Sequence, residues 1–328
     1  MGNISEGSSP LETVTIDDVR RAHAAIHGLV HHTPLFTSAT LSAMTGTRLT
    51  LKAESLQKTG SFKVRGTIFA AKSLSPEERK RGLIAITAGN HGAALAYGAG
   101  LAGTPATIVM PAGAVQAKIA AVRGYGGEVV LVDPSHLIES MEEIQRKQDS
   151  IYVNPIGSLW MIAGAGTAAL EILDDIAEVP ELVVVPVGGG GLIAGIATTI
   201  KALSPSTRVV GVEPETADVV HQSLAAGKPV RIDYPTSIAD GLNTPFAAPL
   251  SFEIIQRCVD EMVTVSDAEV VCAMRLILER MKLVVEPAGA AAVAALLAGK
   301  VPDAGGRRVV ALLSGGNVDL RRLQQILA

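Results

Sequence analysis

Aromatic side chains are the scarcest feature of this 328-residue chain: 3% of positions, with one Trp, four Tyr and five Phe. Nucleobases are commonly held on aromatic platforms. No Lys/Arg block is present to meet a phosphate backbone, and the formal net charge is −4. A nucleic-acid partner is therefore not expected. Only two cysteines occur, Cys258 and Cys272. Their spacing suits neither a metal site nor a disulfide framework, so they read as two buried thiols in a reducing cytoplasm. The N-terminus, MGNISEGSSPLETVTIDD, has no basic stretch followed by an apolar one and reads as lacking a secretory leader. The uncharged run 182–200 is long enough for a bilayer, but Pro186 and the glycines at 188–191 interrupt it. It reads as strand, loop and helix rather than a membrane span.

Apolar residues make up 48% of the chain and charged ones 18%, and the 33 glycines follow no fixed period. Disordered and collagen-like chains are excluded. The core must be built from Ala, Val, Leu, Ile and Gly, over a length that suits two domains or one large α/β unit. Nearly continuous apolar runs at 83–87, 106–110, 128–132, 182–187, 209–212 and 309–314 predict strands buried on both faces. Helices are expected at 92–101, 117–125, 192–203 and 268–282, the last capped by Ser266-Asp267. The charge-rich stretches 76–82 and 139–148 read as solvated helix faces. This alternation predicts a doubly wound α/β fold, with ligands in the loops that follow the strands.

Three of those loops hold chemistry. After the run 182–187 come Gly188, Gly189, Gly190 and Gly191, leading into a helix from Leu192. Backbone amides crowded at a helix N-terminus make a phosphate cradle. The cradle admits two readings. Gly189, Gly191 and Ala194 fit the G-x-G-x-x-G/A dinucleotide fingerprint, and Glu213 follows Gly189 by 24 residues, near the ~20 at which a ribose-binding acid would sit. An NAD-dependent dehydrogenase is the corresponding function. The second reading rests on Lys63, set in the loop Gln57-Lys58-Thr59-Gly60-Ser61-Phe62-Lys63 among small and hydroxyl residues. A desolvated lysine is an amine nucleophile towards a carbonyl cofactor, which points to pyridoxal phosphate. Two further strand ends, Ala88-Gly89-Asn90-His91-Gly92 and Gly315-Gly316-Asn317, complete the set.

Together the segments SFKVRGT (61–67), TAGNHG (87–92), VGGGGLIAG (187–195), VGVEP (210–214), SIADGL (237–242), EPAGA (286–290) and LSGGN (313–317) resemble the fold-type II pyridoxal-phosphate enzymes. The branch they resemble is that of threonine/serine dehydratase and serine racemase. The resemblance implies a tryptophan synthase β-like fold of two open, doubly wound domains with the cofactor in the cleft. A large discontinuous domain would span 1–75 and 156–328, a small mobile one 76–155, with no regulatory domain and a homodimeric assembly. It implies that Lys63 holds pyridoxal 5'-phosphate as a Schiff base, with Phe62 against its ring and Asn90 on its 3′ oxygen. Gly188, Gly189, Gly190, Gly191 and Leu192 would bind its phosphate, and Ser314 would face its pyridine nitrogen. Ser61, Thr87, Ala88, Gly89, Asn90, His91 and Gly241 would line the side of a small amino-acid substrate. The activity implied is β-elimination from a 3-hydroxy amino acid, giving a 2-oxo acid and ammonia.

Two positions discriminate within that branch. Racemase-like members have serine before the Gly-Asn-His triplet, where this chain has Ala88, so dehydration is favoured over racemisation. The stretch Asn154-Pro155-Ile156-Gly157-Ser158-Leu159-Trp160 departs from the family pattern of His-Pro and a polar pair, which leaves the exact substrate open. The divalent-cation site of some relatives maps onto Glu213, Ala217 and Val219. Valine removes one oxygen ligand, and no metal is expected there. His23, His27 and His31 are spaced like a metal face, but Pro34 limits the helix and no carboxylate completes the set, so they read as a helix-end row.

Overall fold

The computed structural model describes residues 13–328. Residues 1–12, which include most of the segment read as lacking a leader, lie outside them. The described chain forms ten strands in two sheets. The larger sheet holds β1 (Leu35–Thr37), β2 (Arg48–Lys52), β7 (Leu182–Pro186), β8 (Arg208–Pro214), β9 (Glu261–Val265) and β10 (Arg308–Leu312), in the order β1-β2-β10-β7-β8-β9. All neighbours in it are parallel except β1 and β2. The smaller sheet holds β3 (Leu83–Ile86), β4 (Ala106–Pro111), β5 (Glu128–Val132) and β6 (Ile151–Tyr152), in the order β5-β4-β3-β6 and parallel throughout.

The apolar runs explain the layers. Along β7, β8 and β10, Val184, Val210, Val212, Val309 and Ala311 face one way, and Val183, Val185, Val209, Val310 and Leu312 the other. Successive side chains of a strand alternate between faces, so both faces need a cover. The first is covered by the helices Asp267–Leu276 and Pro287–Leu297, the latter an Ala-rich PAGAAAVAALL. The second is covered by Leu159–Asp175 and Gly191–Leu203. These two cross closely: a Cβ on Gly166 would stand 2.9 Å from the carbonyl oxygen of Gly195. Small residues here do the work that aromatics do in thicker cores.

Every expected strand is present within two residues at either end, but β5, an edge of the smaller sheet, is not buried on both faces: Glu128 and Leu131 are exposed. The expected helix at 92–101 is Asn90–Ala102, and that at 117–125 is Gln116–Gly124. Ser266 does cap Asp267–Leu276, in a capping box with Glu269, but the helix passes into a π-helical turn at Ile277–Met281 instead of running on as α-helix. The apolar run at 182–200 is β7, a glycine loop and the start of a helix. Among the described residues, no helix is long and apolar enough to cross a membrane. The cysteine reading needs correction: both thiols are free, Cys258 is half-buried, and Cys272 is exposed on the outer side of its helix.

The strand orders locate two crevices. β7 runs on to β8 and β9 on one side while β10 lies on its other side, and β3 runs on to β4 and β5 while β6 lies on its other side. Loops leaving the carboxyl ends at such reversal points diverge and leave room for a ligand.

Candidate active site

The expected site residues lie in the loops after β3, β7 and β10, in the strip between β2 and the helix Lys63–Ser73, and, for Gly241, in the turn after the helix Val219–Ala226. The helix Lys63–Ser73 packs between Asn90–Ala102 and Leu159–Asp175 and brings Lys63 among them. The strip before it is zipped to the loop after β10. Phe62 N donates to Ser314 O at 3.1 Å, Gly316 N to Gly60 O at 2.8 Å, and Asn317 Nδ2 to Thr59 O at 2.7 Å. Ser61 and Gly315 form a bridge between these pairs.

Lys63 Nζ donates to Pro155 O at 2.5 Å and stands 5.0 Å from the centroid of the Phe62 ring. The side chain keeps some surface, but the ammonium is closely surrounded by protein. That burial lowers its pKa to about 8, against the charge of Glu286, which works to raise it. An amine in that range is partly unprotonated near neutrality and is a nucleophile.

The loop after β6 joins this amine to the glycines. Pro155 accepts from Lys63, Ile156 lies against Gly189 so closely that a Cβ there would stand 2.6 Å from the Ile156 Cβ, and Ser251 Oγ holds Ile156 O at 2.8 Å. Gly190 has φ +96°, and its own Cβ would meet Ile255 Cδ1 at 2.8 Å. No side chain caps the helix Gly191–Leu203, so its first-turn amides, Leu192 among them, remain for an anion.

On the opposite loop, Thr87 Oγ1 accepts from Gly89 N at 3.0 Å, and Ala88 is exposed. His91 is turned inward, its Nε2 3.0 Å from Val153 O. Burial and the nearby Lys63 charge depress its pKa to about 3. It is neutral, and what it leaves to the loop is its backbone amide. Gly241 lies on the turn Asp240–Leu242, whose Leu242 backbone packs on Gly188. Ser61 Oγ is buried without a partner, and the buried Ser314 hydroxyl makes only a 3.5 Å contact to Ala288 O.

Asn90 meets a residue that the sequence reading left without a role. Its Nδ2 donates to Glu286 Oε1 at 2.7 Å, and its Oδ1 accepts from Asn317 Nδ2 at 2.9 Å. Glu286 is buried, which pushes its carboxyl up to about 7, with Asp240 adding to the rise. The motif EPAGA was legible, but its Glu could be assigned only once its packing against Asn90 was seen. A cavity of about 490 Å³ adjoins this group, lined by Asn90, Lys118, Tyr125, Asp240, Glu286 and Asn317. Neither Lys63 nor the 188–191 loop is on its wall, so it is a neighbour of the cleft.

Glu213 is buried and committed to the helix that follows it. Its two carboxylate oxygens accept from Val220 N and His221 N at 2.8 Å each, capping the helix Val219–Ala226. A fully buried acid committed in this way is not free for a ribose, which removes the support for a dinucleotide. Among the described residues, no three His, Cys, Asp or Glu are grouped to hold a metal. The histidine row is no single face, since the helix Ile16–Ile26 ends before His27 and His31 bonds Leu56 O from the following loop.

Comparison with known proteins accords with this geometry. Residues 26–315 match the family model described as pyridoxal-phosphate dependent enzyme. The chain is 42% identical over 316 residues to an L-threonine ammonia-lyase of Thermotoga maritima, covering 96% of this chain and 78% of that one. It is 42% identical over 319 residues to a human serine racemase, covering 94% and 92%. The solved structure of maize serine racemase superposes with a TM-score of 0.92 at 37% identity, covering 95% and 96%. The residues suit the cofactor that the family is named for. A partly unprotonated buried amine can meet a carbonyl, an uncapped helix start with glycines that leave no room for side chains can meet a phosphate, and an under-bonded buried hydroxyl is left at Ser314.

Proposed function

Because the chain belongs to the family of pyridoxal-phosphate dependent enzymes, we propose that it dehydrates and deaminates a 3-hydroxy amino acid, threonine- or serine-like, to a 2-oxo acid and ammonia. The cofactor, when bound, supplies a carbonyl carbon for an amine and a conjugated ring that withdraws electrons from Cα. Lys63 would hold it, the amides of 188–192 would take its phosphate, Phe62 and Asn90 would flank its ring, and Ser314 would face its nitrogen.

In this reading Lys63 Nζ would accept the α-proton of the substrate as general base. Its depressed pKa makes it competent to do so near neutrality. The substrate carboxylate is bound by Ser61 Oγ and by the amides of residues 87–91, and Gly241 lines the same side. Loss of the α-proton and of the β-hydroxyl, which leaves with a proton as water, gives an enamine. The enamine becomes an imine, and one water hydrolyses it to the 2-oxo acid and ammonia, so the water lost and the water used cancel. The unit 76–155, which carries Asn90, moves as a lid over the substrate.

The observation that carries the proposal is the Lys63 amine, lowered to about 8 and joined through Pro155 and Ile156 to the glycine cradle. Racemisation is the second reading, favoured by the likeness to serine racemases. It needs a second acid-base group beside Cα. Ala88 offers none, and the Thr87 hydroxyl is engaged with Gly89 N, so elimination is preferred. A panel of 3-hydroxy amino acids assayed for both ammonia and 2-oxo acid is the test, with Lys63→Ala as control. The proposal expects both products in equal amounts from at least one member and none from the variant. D-Serine as the main product from L-serine would reverse the choice between the two readings.

A further inference from the structure

Two residues beyond Lys63, the side chain of Arg65 lies at 0% exposure in a cluster with Lys52, Glu54 and Glu171, none of them more than 2% exposed. All five guanidinium N–H donors are used. Nε and Nη2 donate to Glu54 Oε2 and Oε1 at 2.8 and 2.7 Å, and Nη1 and Nη2 donate to Glu171 Oε1 and Oε2 at 2.7 and 2.8 Å. Nη1 also donates to Thr167 Oγ1 at 3.2 Å. Lys52 Nζ completes the set on Glu171 Oε2 at 2.6 Å and Thr33 O at 2.7 Å. Burial works against the Arg65 charge, but the charge and bonds of Glu54, then Glu171, outweigh it and hold the guanidinium more firmly protonated than usual. Glu171, which burial alone would raise, is brought below its ordinary value by Arg65 and Lys52.

Apolar side chains of the same volume often fill such a space with equal or greater stability. What two bidentate forks add is direction, because each fixes a plane as well as a distance. The helix Lys63–Ser73 needs that direction. Phe62 occupies its N-cap without a side-chain bond. Its first turn rests on Leu159–Asp175 through Gly66 and Gly164, where a Cβ on either would overlap the other helix. The glycine contact sets how near the helices come, and the two forks of Arg65 add bonds of fixed direction beside it. Arg65 grips Glu171 on that same partner helix and Glu54 just past the end of β2.

We infer that Arg65, clamped between Glu54 and Glu171, is a positioning residue: it fixes the rotation of the first turn and so the direction from which the Lys63 amine enters the cleft. The inference rests on the reading of Lys63 given above.

Arg65→Lys keeps the charge and removes the forks. At a temperature where its circular dichroism is native, the expected result is a kcat lowered about a hundredfold with KM within about threefold of wild type. Loading of the emptied full-length chain with pyridoxal phosphate, followed by visible absorbance, should slow in parallel. A lower Tm with wild-type kcat and wild-type loading would overturn the inference. Should Arg65→Lys not fold, the charge-neutral pair Lys52→Met with Glu171→Gln keeps the Arg65–Glu54 fork and is read the same way: reduced kcat and loading support the inference, and wild-type values overturn it. Lys63→Ala separates the two levels. If that variant loads with an unchanged spectrum, the Lys63 reading is wrong and this inference falls with it. If it does not load while Arg65→Lys behaves as wild type, only the role of Arg65 is wrong.

Discussion

Asn90, at the start of the helix that follows β3, donates to Glu286, beside the loop that follows β10, across 2.7 Å. With the bond from Asn317 Nδ2 to Asn90 Oδ1, this hydrogen bond ties the unit of the smaller sheet to that of the larger. Its acceptor titrates near neutrality, because burial, then Asp240, push the Glu286 carboxyl up to about 7. A carboxyl raised in the folded state contributes stability that is complete below its unfolded value of 4.5 and is lost as pH rises through about 7. Denaturant titrations of the emptied chain should therefore find less stability at pH 8 than at pH 5 from this group, with a flatter dependence in Glu286→Gln. Glu286→Ala leaves the Asn90 amide without its acceptor, and kcat/KM should fall by roughly tenfold or more, from the ~1–3 kcal/mol that an unpaired buried group costs.

The glycine cradle gives a second expectation. Gly190 combines a left-handed backbone with a Cβ position already crowded by Ile255 and Ser251. Gly190→Ala should cost about 1–2 kcal/mol in backbone conformation alone, with further loss from the overlap. Equilibrium dialysis should find weaker binding of pyridoxal phosphate, while Gly299→Ala, with a similar φ of +65° but open space around it, should lose stability without losing cofactor.

His91 sets an acid limit. Its pKa is depressed to about 3 by burial, then by Lys63. The unfolded chain therefore takes up a proton at this position near 6.5 that the folded chain refuses, and stability falls as pH drops from about 6.5 towards 3. Measured between pH 7 and 5, the decline should be smaller in His91→Gln than in wild type. An equal slope in both would show that other groups govern acid unfolding.

Ala88 is the position where elimination and racemisation part. Ala88→Ser supplies a hydroxyl in the loop that faces the substrate carboxylate in the proposed cycle. Chiral chromatography after incubation with L-serine should find D-serine rising in the variant above the wild-type level, with ammonia release persisting.

What the sequence made legible follows from burial. Strands β3, β4, β7, β8 and β10 are continuous apolar runs because helices cover both their faces, and each was recognisable alone. Strands β1, β6 and β9 are sheet edges. The first two have three residues and two, and Glu261–Val265 is interrupted by Glu261 and Thr264, so none has the run of a central strand. β2 is central, yet it ends on Lys52, a charge that becomes intelligible only through Glu171, 119 positions away. Separation in sequence likewise hid Glu286 from Asn90, 196 positions away, and Glu171 from Arg65, 106 positions away. Loop residues such as Lys63, Asn90 and the glycines could be located because strand ends and glycine clusters are local signals, whereas pairings across the cleft are not.

The central claim, that Lys63 is the amine that holds the cofactor, is tested most directly by chemical reduction of the loaded enzyme with borohydride, followed by proteolysis and mass spectrometry. The account predicts a single pyridoxyl-phosphate modification, on the peptide containing Lys63. Modification of a different lysine, or none in a protein that still turns over substrate, would contradict it.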